Sequence, residues 1–559
     1  LKIIYTNNQI SFVTSDLKHL IYMKKIILST LIFSFVAISL TLRAQGNGQP
    51  MDPDQTLKKL NTLMYLINNY YVDTLNMNTL TEQVVENTLK ELDPHSAYIS
   101  QKDVEKANEG LEGSFEGVGL TFQLYKDTIL VIAPIPGGPS DKVGVLAGDK
   151  IITVDGMEAT GKKVNNDWVM KHLRGEKGTE VVVGIYRKGN EELIDYKIIR
   201  DEIPINSMDA AFMLDGQTGY IKLNRFARQS QEEFDSALLT LRKQGMKNLI
   251  FDLRGNSGGY LGTAMSIADE FLPTGKSIVY TEGVNSPRQD LNATAAGKFE
   301  EGKLVVLINE GSASASEIVS GAVQDWDRGV LIGRRSFGKG LVQRPFQLPD
   351  GSQVRLTIAR YYTPSGRYIQ KPYDEGVDEY YKDFMHRVEH GELMTADSIH
   401  FPDSLQYQTA GGRTVYGGGG VMPDIFMPFD SLRFTKTYGD YIRKGIMNGF
   451  VNDYLDENRK SLLDSYADFT AFNKGFSLSD ADFESFVERA KTEKIEVTDE
   501  EIVQNGAFVK TQLKGLLARN LYENSDYFEV IAPMDADIGK AMELLRNDEA
   551  YNKWIHLKK

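Results

Sequence analysis

Two loops of glycine and small residues follow apolar runs in the middle of the chain, and both carry groups suited to acyl chemistry. The run 248–253 leads into Arg254-Gly255-Asn256-Ser257-Gly258-Gly259, and Leu304–Ile308 leads into Gly311-Ser312-Ala313-Ser314-Ala315-Ser316-Glu317. Sites in layered α/β folds sit at such strand ends. A serine at the start of the following helix exposes its hydroxyl, and the next backbone N–H is free at the positive end of the helix dipole. That donor suits a developing oxyanion, and a glycine amide at Gly258 or Gly259 could supply a second. The same residues have an ordinary structural reading: Ser314-Ala315-Ser316-Glu317 is a capping box, and glycine loops are commonly turns.

A serine nucleophile needs a base. No histidine stands between His172 and His386, so a base drawn from this region must be Lys, Asp or Glu. Lys339 lies in Gly338-Lys339-Gly340, after Phe337 and four residues before Gln343. A lysine works as a base only when desolvation lowers its pKa enough to leave the amine neutral. On pattern alone, a solvated turn lysine is the simpler reading. A second pattern, His386-Arg387-Val388-Glu389-His390, matches the H-x-x-E-H zinc motif. It lies in a polar stretch with no third-ligand motif downstream, so neither a metal nor a cofactor is expected.

The elements that must position these residues follow from periodicity. Leu57, Leu60, Leu63 and Leu66 recur at helical spacing, continued by Val84, Leu89 and Leu92, so 54–92 reads as helical up to the turn Asp93-Pro94-His95-Ser96. Residues 113–202 read as a β-rich module, with strands at 129–132, 149–154 and 181–186, a hairpin at Asp155-Gly156 and a helix over 164–173. Residues 203–429 alternate strand and helix, which predicts an α/β layer, with a polar, irregular insertion at 373–420. Residues 430–559 return to helical periodicity, and His95, Trp168 and Trp326 read as turn and packing residues.

At the N-terminus, Lys24 and Lys25 precede an apolar run over 26–42, followed by Arg43-Ala44-Gln45. This describes a secretory leader cleaved after Ala44, with residues 1–22 as an overextended start; an uncleaved membrane anchor is the alternative. The chain of 559 residues has 63 basic and 77 acidic side chains, a net −14, which speaks against a nucleic-acid binder. The absence of cysteine excludes disulfides, thiol catalysis and thiolate metal sites.

Six stretches together resemble the C-terminal processing peptidases, or tail-specific proteases. They are Leu92-Asp93-Pro94-His95-Ser96, Gly117-Val118-Gly119-Leu120, Asp252 through Gly259, Gly311 through Glu317, Phe337 through Gln343, and Ala359 through Gly366. They stand in the family's order over roughly 55–372. The resemblance implies Ser314 as nucleophile and Lys339 as general base, because the family separates the two by 25 residues, which neither Ser312 nor Ser316 fits. It further implies Gln343 as the residue orienting the lysine amine, and the Ala315 and Gly258 amides as oxyanion donors. Ser257 departs from the proline often found in that loop.

The β-rich module resembles a PDZ domain, which binds an extended peptide tail by strand addition. Val118, Gly119 and Leu120 would hold the terminal carboxylate, and Leu120, Phe122, Val169 and Leu173 would line the side-chain pocket, though core packing explains each of the latter as well. The implied fold is multidomain α+β: residues 45–112 helical, 113–202 PDZ, 203–429 a crotonase-like α/β serine protease core and 430–559 a helical C-terminal domain. The implied function is an exported, periplasmic serine endopeptidase acting on proteins with flexible, apolar C-termini, with a homodimer or an envelope adaptor as further partners. A catalytically silent PDZ scaffold and an acyl-CoA enzyme on the related crotonase fold are the alternatives; the intact Ser, Lys and Gln set opposes the first, and export the second.

Overall fold

In the computed structural model, residues 53–555 are described, except 296, 432 and 433. The leader expected at 24–44 lies outside the described residues. No described helix is long and apolar enough to cross a membrane. The chain divides into two units, 1–83 and 84–559. The single helical pattern expected over 54–92 resolves into two helices, Pro53–Tyr70 and Met77–Lys90. The second is started by Asn76, whose side chain accepts the Asn78 and Thr79 N–H groups, an N-cap that the hydrophobic period does not reveal. On the first helix, Leu57, Leu60, Leu63 and Leu66 are exposed.

The module that follows is an antiparallel sheet in the order Leu120–Tyr125, Thr128–Pro134, Lys150–Val154, Glu180–Tyr186, Ile194–Ile199. Asp155 and Gly156 both have positive φ (49° and 74°), the geometry of the tight hairpin that their types predict. The helix Asn166–Leu173 starts where the Asn165 side chain accepts the Trp168 N–H at 2.8 Å. Ile129, Ile151, Val154, Val169, Val181, Val183, Ile185 and Ile198 form its fully buried core. Within the expected 113–202, the structure adds a strand beyond the one read at 181–186: Ile194–Ile199 pairs back on Glu180–Tyr186. Asp201–Pro204 then pairs with Ser114–Gly117, so one two-stranded ribbon carries the chain both into the module and out of it.

The core is a six-stranded sheet ordered Met208–Met213, Thr218–Leu223, Asn248–Asp252, Leu304–Ile308, Val330–Gly333, Ile425–Phe426, parallel except for the first pair. Leu304–Ile308 is apolar at every position because both sheet faces are covered. Leu304, Val306 and Ile308 pack with the helices Ser230–Lys243, Leu261–Asp269 and Ala315–Asp325. Val305 and Leu307 face Ile538, Ala541, Leu544 and Leu545 of Ala536–Arg546, and Tyr551 of Asp548–Ile555. The last two helices of the C-terminal region therefore complete the core. The remainder, 436–531, is built around an aromatic core that includes Phe450, Phe472, Phe486 and Phe508, and its helix Asn524–Ile531 also bonds to the edge strand Met208–Met213.

The stretch 373–420 is not irregular throughout. It contains the helix Val377–Glu389 and the hairpin Gln406–Gln408 with Thr414–Tyr416, and Ile425–Phe426 just beyond it adds the sixth strand. Arg387 on that helix is buried and donates to Ser336 O at 2.8 Å and Phe337 O at 3.1 Å. Its polar composition conceals a helix that buttresses the Lys339 loop.

Candidate active site

Ser312, Ser314 and Ser316 are chemically alike in sequence, and the fold separates them. Ser312 Oγ is buried, donating to Leu253 O and accepting from Asn309 N, both at 2.9 Å. Ser316 Oγ is buried and donates to Asn256 O at 2.8 Å. Of the three, Ser314 lines a cavity of about 800 Å³, with Ala315, Gly258, Gly259, Lys339 and Gln343 on the same walls. Ser314 holds φ 55°, ψ −111° at the mouth of the Ala315–Asp325 helix, a backbone state that costs a non-glycine residue roughly 1–3 kcal/mol. A strained strand-to-helix turn of this kind projects a nucleophile.

Glu317 holds the turn in that state. Its fully buried carboxylate accepts the Ser314 N–H at 2.8 Å, the Gly338 N–H at 2.7 Å and the Lys339 N–H at 2.9 Å, as well as the Ser336 hydroxyl. One side chain thus ties the serine turn to the lysine loop. Burial raises the Glu317 carboxyl above its ordinary range, and these donors pull it back. Tyr361, buried on Gln353–Tyr362, directs its hydroxyl at Ser314 O and Lys339 O and ties the two segments a second time.

Lys339 is pushed below the ordinary lysine range, chiefly by burial; the charges of Glu317 and Asp93 oppose the shift and that of Arg355 adds to it. Part of this environment comes from the turn at 93–96, far away in sequence. Asp93 accepts His95 N, Ser96 N and Ser96 Oγ at 2.8, 2.9 and 2.6 Å, and Thr357 Oγ1 at 3.0 Å. His95, expected to be a plain turn residue, is lowered to about 4 by burial and then by the charge of Lys339, so it is a neutral imidazole near the lysine, 2.8 Å from the Tyr380 hydroxyl. The absence of histidine within 173–385 therefore does not keep an imidazole away from the lysine.

Gln343 donates its Nε2 to Thr357 Oγ1 at 3.2 Å, which leaves its Oε1 as the atom that can accept from the lysine amine. Gly258 differs from expectation. Its N–H donates to Asn256 Oδ1 at 2.8 Å, because that side chain is fully buried and its oxygen needs a donor. The Gly258 amide is thus not a free oxyanion donor as it stands. The residue nevertheless lies against the nucleophile: a Cβ on it would come within 2.9 Å of Ser314 Cβ and 3.0 Å of Ala315 N.

In the β-rich module, Val118, Leu120, Val169 and Leu173 are buried in its core, and Phe122 is partly buried against it. The carbonyl of Val118 accepts from Ser140 N and Oγ, and that of Gly119 from Ile135 N. His386 of the zinc-like pattern faces Glu379 at 3.3 Å. Among the described residues no group of three His, Asp or Glu is arranged to hold a metal. The residues missed in sequence are Glu317 as a tie, Tyr361, His95 and Arg387. In sequence Glu317 shows as the far end of a capping box and of the Gly311–Glu317 stretch, and nothing there signals its tie to the lysine loop.

A model for peptidase family S41 matches residues 217–381, one for the PDZ domain matches 117–198, and one for a family of unknown function matches 437–523. A probable CtpA-like serine protease of Staphylococcus aureus (strain bovine RF122 / ET3-1) is 33% identical over 345 residues, 61% of this chain and 68% of that protein. Its counterpart in Staphylococcus epidermidis (strain ATCC 12228 / FDA PCI 1200) is 33% identical over 346 residues, covering 62% and 69%. Among solved structures, the photosystem II D1 C-terminal processing protease aligns at 27% identity over 66% of this chain and 87% of its own, with a TM-score of 0.34. The PDZ domain of a carboxy-terminal protease from Vibrio cholerae, solved with a peptide, aligns at 27% identity over 16% of this chain and 99% of its own, with a TM-score of 0.16. With the family model on the α/β core and relatives matched over more than two thirds of their length, the chain belongs to peptidase family S41, the serine proteases of the CtpA-like kind, and carries a PDZ domain.

Proposed function

We propose that the chain cleaves peptide bonds by acyl transfer through Ser314 and Lys339, on exported proteins whose C-terminal tails its PDZ domain captures. The observation that carries this reading is the strained Ser314 turn lining one cavity with a lysine that burial keeps below its ordinary range. Ser314 Oγ adds to the substrate carbonyl carbon while Lys339 Nζ takes its proton. The oxyanion is received by the Ala315 N–H, with the Gly258 N–H joining when it turns from Asn256. Lys339 passes the proton to the leaving amine nitrogen as the C–N bond breaks. The neutral Lys339 amine then takes a proton from water as that water adds to the ester carbonyl, and returns it to Ser314 Oγ as the C–O bond breaks, which releases the new carboxyl end and restores the serine.

Tail capture is supported by topology. Leu120–Tyr125 is the edge strand of the PDZ sheet, paired on one side only, and Phe122 and Trp168 are half-buried between strand and helix. A tail can add to that edge as a further strand. Export rests on residues 24–44, and a homodimer on the exposed Leu57, Leu60, Leu63 and Leu66 stripe, which a second copy would cover; a monomeric mass in solution scattering at micromolar concentration would overturn the dimer.

The test is cleavage of an unfolded reporter with an apolar C-terminal tail by the parent, Ser314→Ala and Lys339→Ala. Cleavage by the parent alone supports the pair, and a reporter with a charged tail then tests capture. Cleavage that survives Ser314→Ala refutes it. A parent that binds the reporter but does not cut it favours the scaffold alternative.

A further inference from the structure

The loop that carries Gly258 begins at Arg254, and Arg254 is gripped from two directions. Asp252, fully buried at the end of Asn248–Asp252, accepts from Arg254 Nη2 at 2.7 Å and Nε at 3.0 Å, and also takes the Tyr220 hydroxyl at 2.6 Å. From the C-terminal helix Ala536–Arg546, Asp535 accepts from Nη2 at 2.9 Å and Nη1 at 3.1 Å, and Asp537 accepts from Nη1 at 2.9 Å. Asp535 also caps that helix, accepting the Asp537 and Ile538 N–H groups at 3.0 and 3.1 Å. Loop and helix are 281 and 283 residues apart in sequence.

The purpose of this grip follows from what the loop touches next. Gly255 N donates to Asn309 Oδ1 at 2.8 Å. Asn256 O receives Ala313 N at 3.0 Å and Ser316 Oγ at 2.8 Å, and its side chain holds Gly258 N. Arg254 is thus two residues from the group that registers the glycine loop against the serine turn. Burial raises the Asp537 carboxyl and the Arg254 charge opposes it. A half-made pair here would leave an uncompensated buried charge.

We propose that Asp535 and Asp537 are positioning residues for the oxyanion side of the site: through Arg254 they hold loop 254–259 in register with Ser314, so that catalysis depends on the C-terminal helix. This rests on the Ser314–Lys339 reading above. A misplacement of about 1 Å in a reacting geometry costs on the order of 100-fold in rate. The effect is therefore expected in kcat rather than in KM.

The experiment compares the parent, Ser314→Ala, Asp535→Asn, Asp537→Asn, the double Asn variant and Asp215→Asn in the full chain, on the same reporter. Asparagine keeps one acceptor oxygen for the cap at 535 and replaces the other, which takes Arg254 Nη2, with an uncharged N–H donor. Asp215 is the control, because its pair with Arg546 at 3.1 Å tethers the same helix without touching Arg254. The expected result is a kcat about 10- to 100-fold lower in the double variant, with KM within threefold, a retained folded spectrum, and an Asp215→Asn enzyme like the parent. A folded double variant with kcat within threefold of the parent overturns the proposal. So does a change confined to KM, or an equal loss in Asp215→Asn. If the double variant does not fold, Asp537→Asn is read by the same criteria. Cleavage that survives Ser314→Ala instead removes the underlying reading, whatever the aspartate variants do.

Discussion

Replacing Gly258 by alanine puts a methyl group 2.9 Å from Ala313 O and Ser314 Cβ and 3.0 Å from Ala315 N, at a φ of +104°. The backbone strain costs roughly 1–3 kcal/mol, and forcing a methyl into filled space about as much again. Against a typical stability of about 5–15 kcal/mol, a loss of about 2–6 kcal/mol leaves a protein in the middle of that range folded. The methyl lies over the first free N–H of the Ala315–Asp325 helix, where the oxyanion must sit. Losing one such donor costs about 100- to 1000-fold in kcat. The assay is kcat and KM on the tailed reporter, with a thermal melt for each variant. The expected outcome is a folded Gly258→Ala enzyme whose kcat falls by about that factor while KM moves little. At Gly259 the same methyl would meet Phe226 O at 2.1 Å, so Gly259→Ala is expected to fail in folding first. A folded Gly258→Ala enzyme with kcat within tenfold of the parent would refute the reasoning.

Other outcomes follow from buried charge. Lys339 has a folded pKa below its unfolded value, so below that folded value its protonated amine destabilises the native state, and the penalty disappears as pH rises through the window between the two. Lys339→Met is therefore expected to abolish cleavage yet melt no lower than the parent at neutral pH; calorimetry showing a lower melt would count against a desolvated lysine. Parent cleavage should fall as pH drops through the lysine value, and a flat profile down to pH 5 would argue against this base, since His95 titrates only near about 4. Asp325→Ala strands the fully buried Arg367 guanidinium and should cost about 3–5 kcal/mol in urea unfolding; a loss under about 1 kcal/mol would mean the pair is not the support it looks. Asp453 receives the Tyr125 hydroxyl at 2.9 Å and Arg489 at 2.7 Å, joining the PDZ edge strand to the C-terminal helices. Asp453→Ala should speed amide exchange in Leu120–Tyr125 and leave Asn248–Asp252 unchanged; equal change in both strands would contradict a local latch.

Much of this architecture is legible residue by residue. The strand Leu304–Ile308, the Asp155-Gly156 hairpin and the buried face of Phe234, Ala237, Leu238 and Leu241 each depend on neighbours a few positions away. The helix Val377–Glu389 escapes a sequence reading because most of its apolar residues, Tyr381, Phe384, Met385 and Val388, are exposed, and what seats it is buried Tyr380 and Arg387 reaching the carbonyls of Ser336 and Phe337. The strand at 425–426 is too short for any period to announce.

Sequence by itself determined the family, the order of its motifs, the candidate serine and lysine, and the exclusion of thiol chemistry. Only tertiary structure decided that Ser312 and Ser316 have engaged hydroxyls, that Glu317 ties the serine turn to the lysine loop, and that Gly258 N rests on Asn256. It alone brought His95 and Asp93 toward Lys339, and Asp535 and Asp537 onto Arg254. The reason is physical. Turns, caps and periodicity are set by neighbouring residues, whereas a lysine's pKa and a buried carboxylate's partners are set by which distant groups exclude water from them.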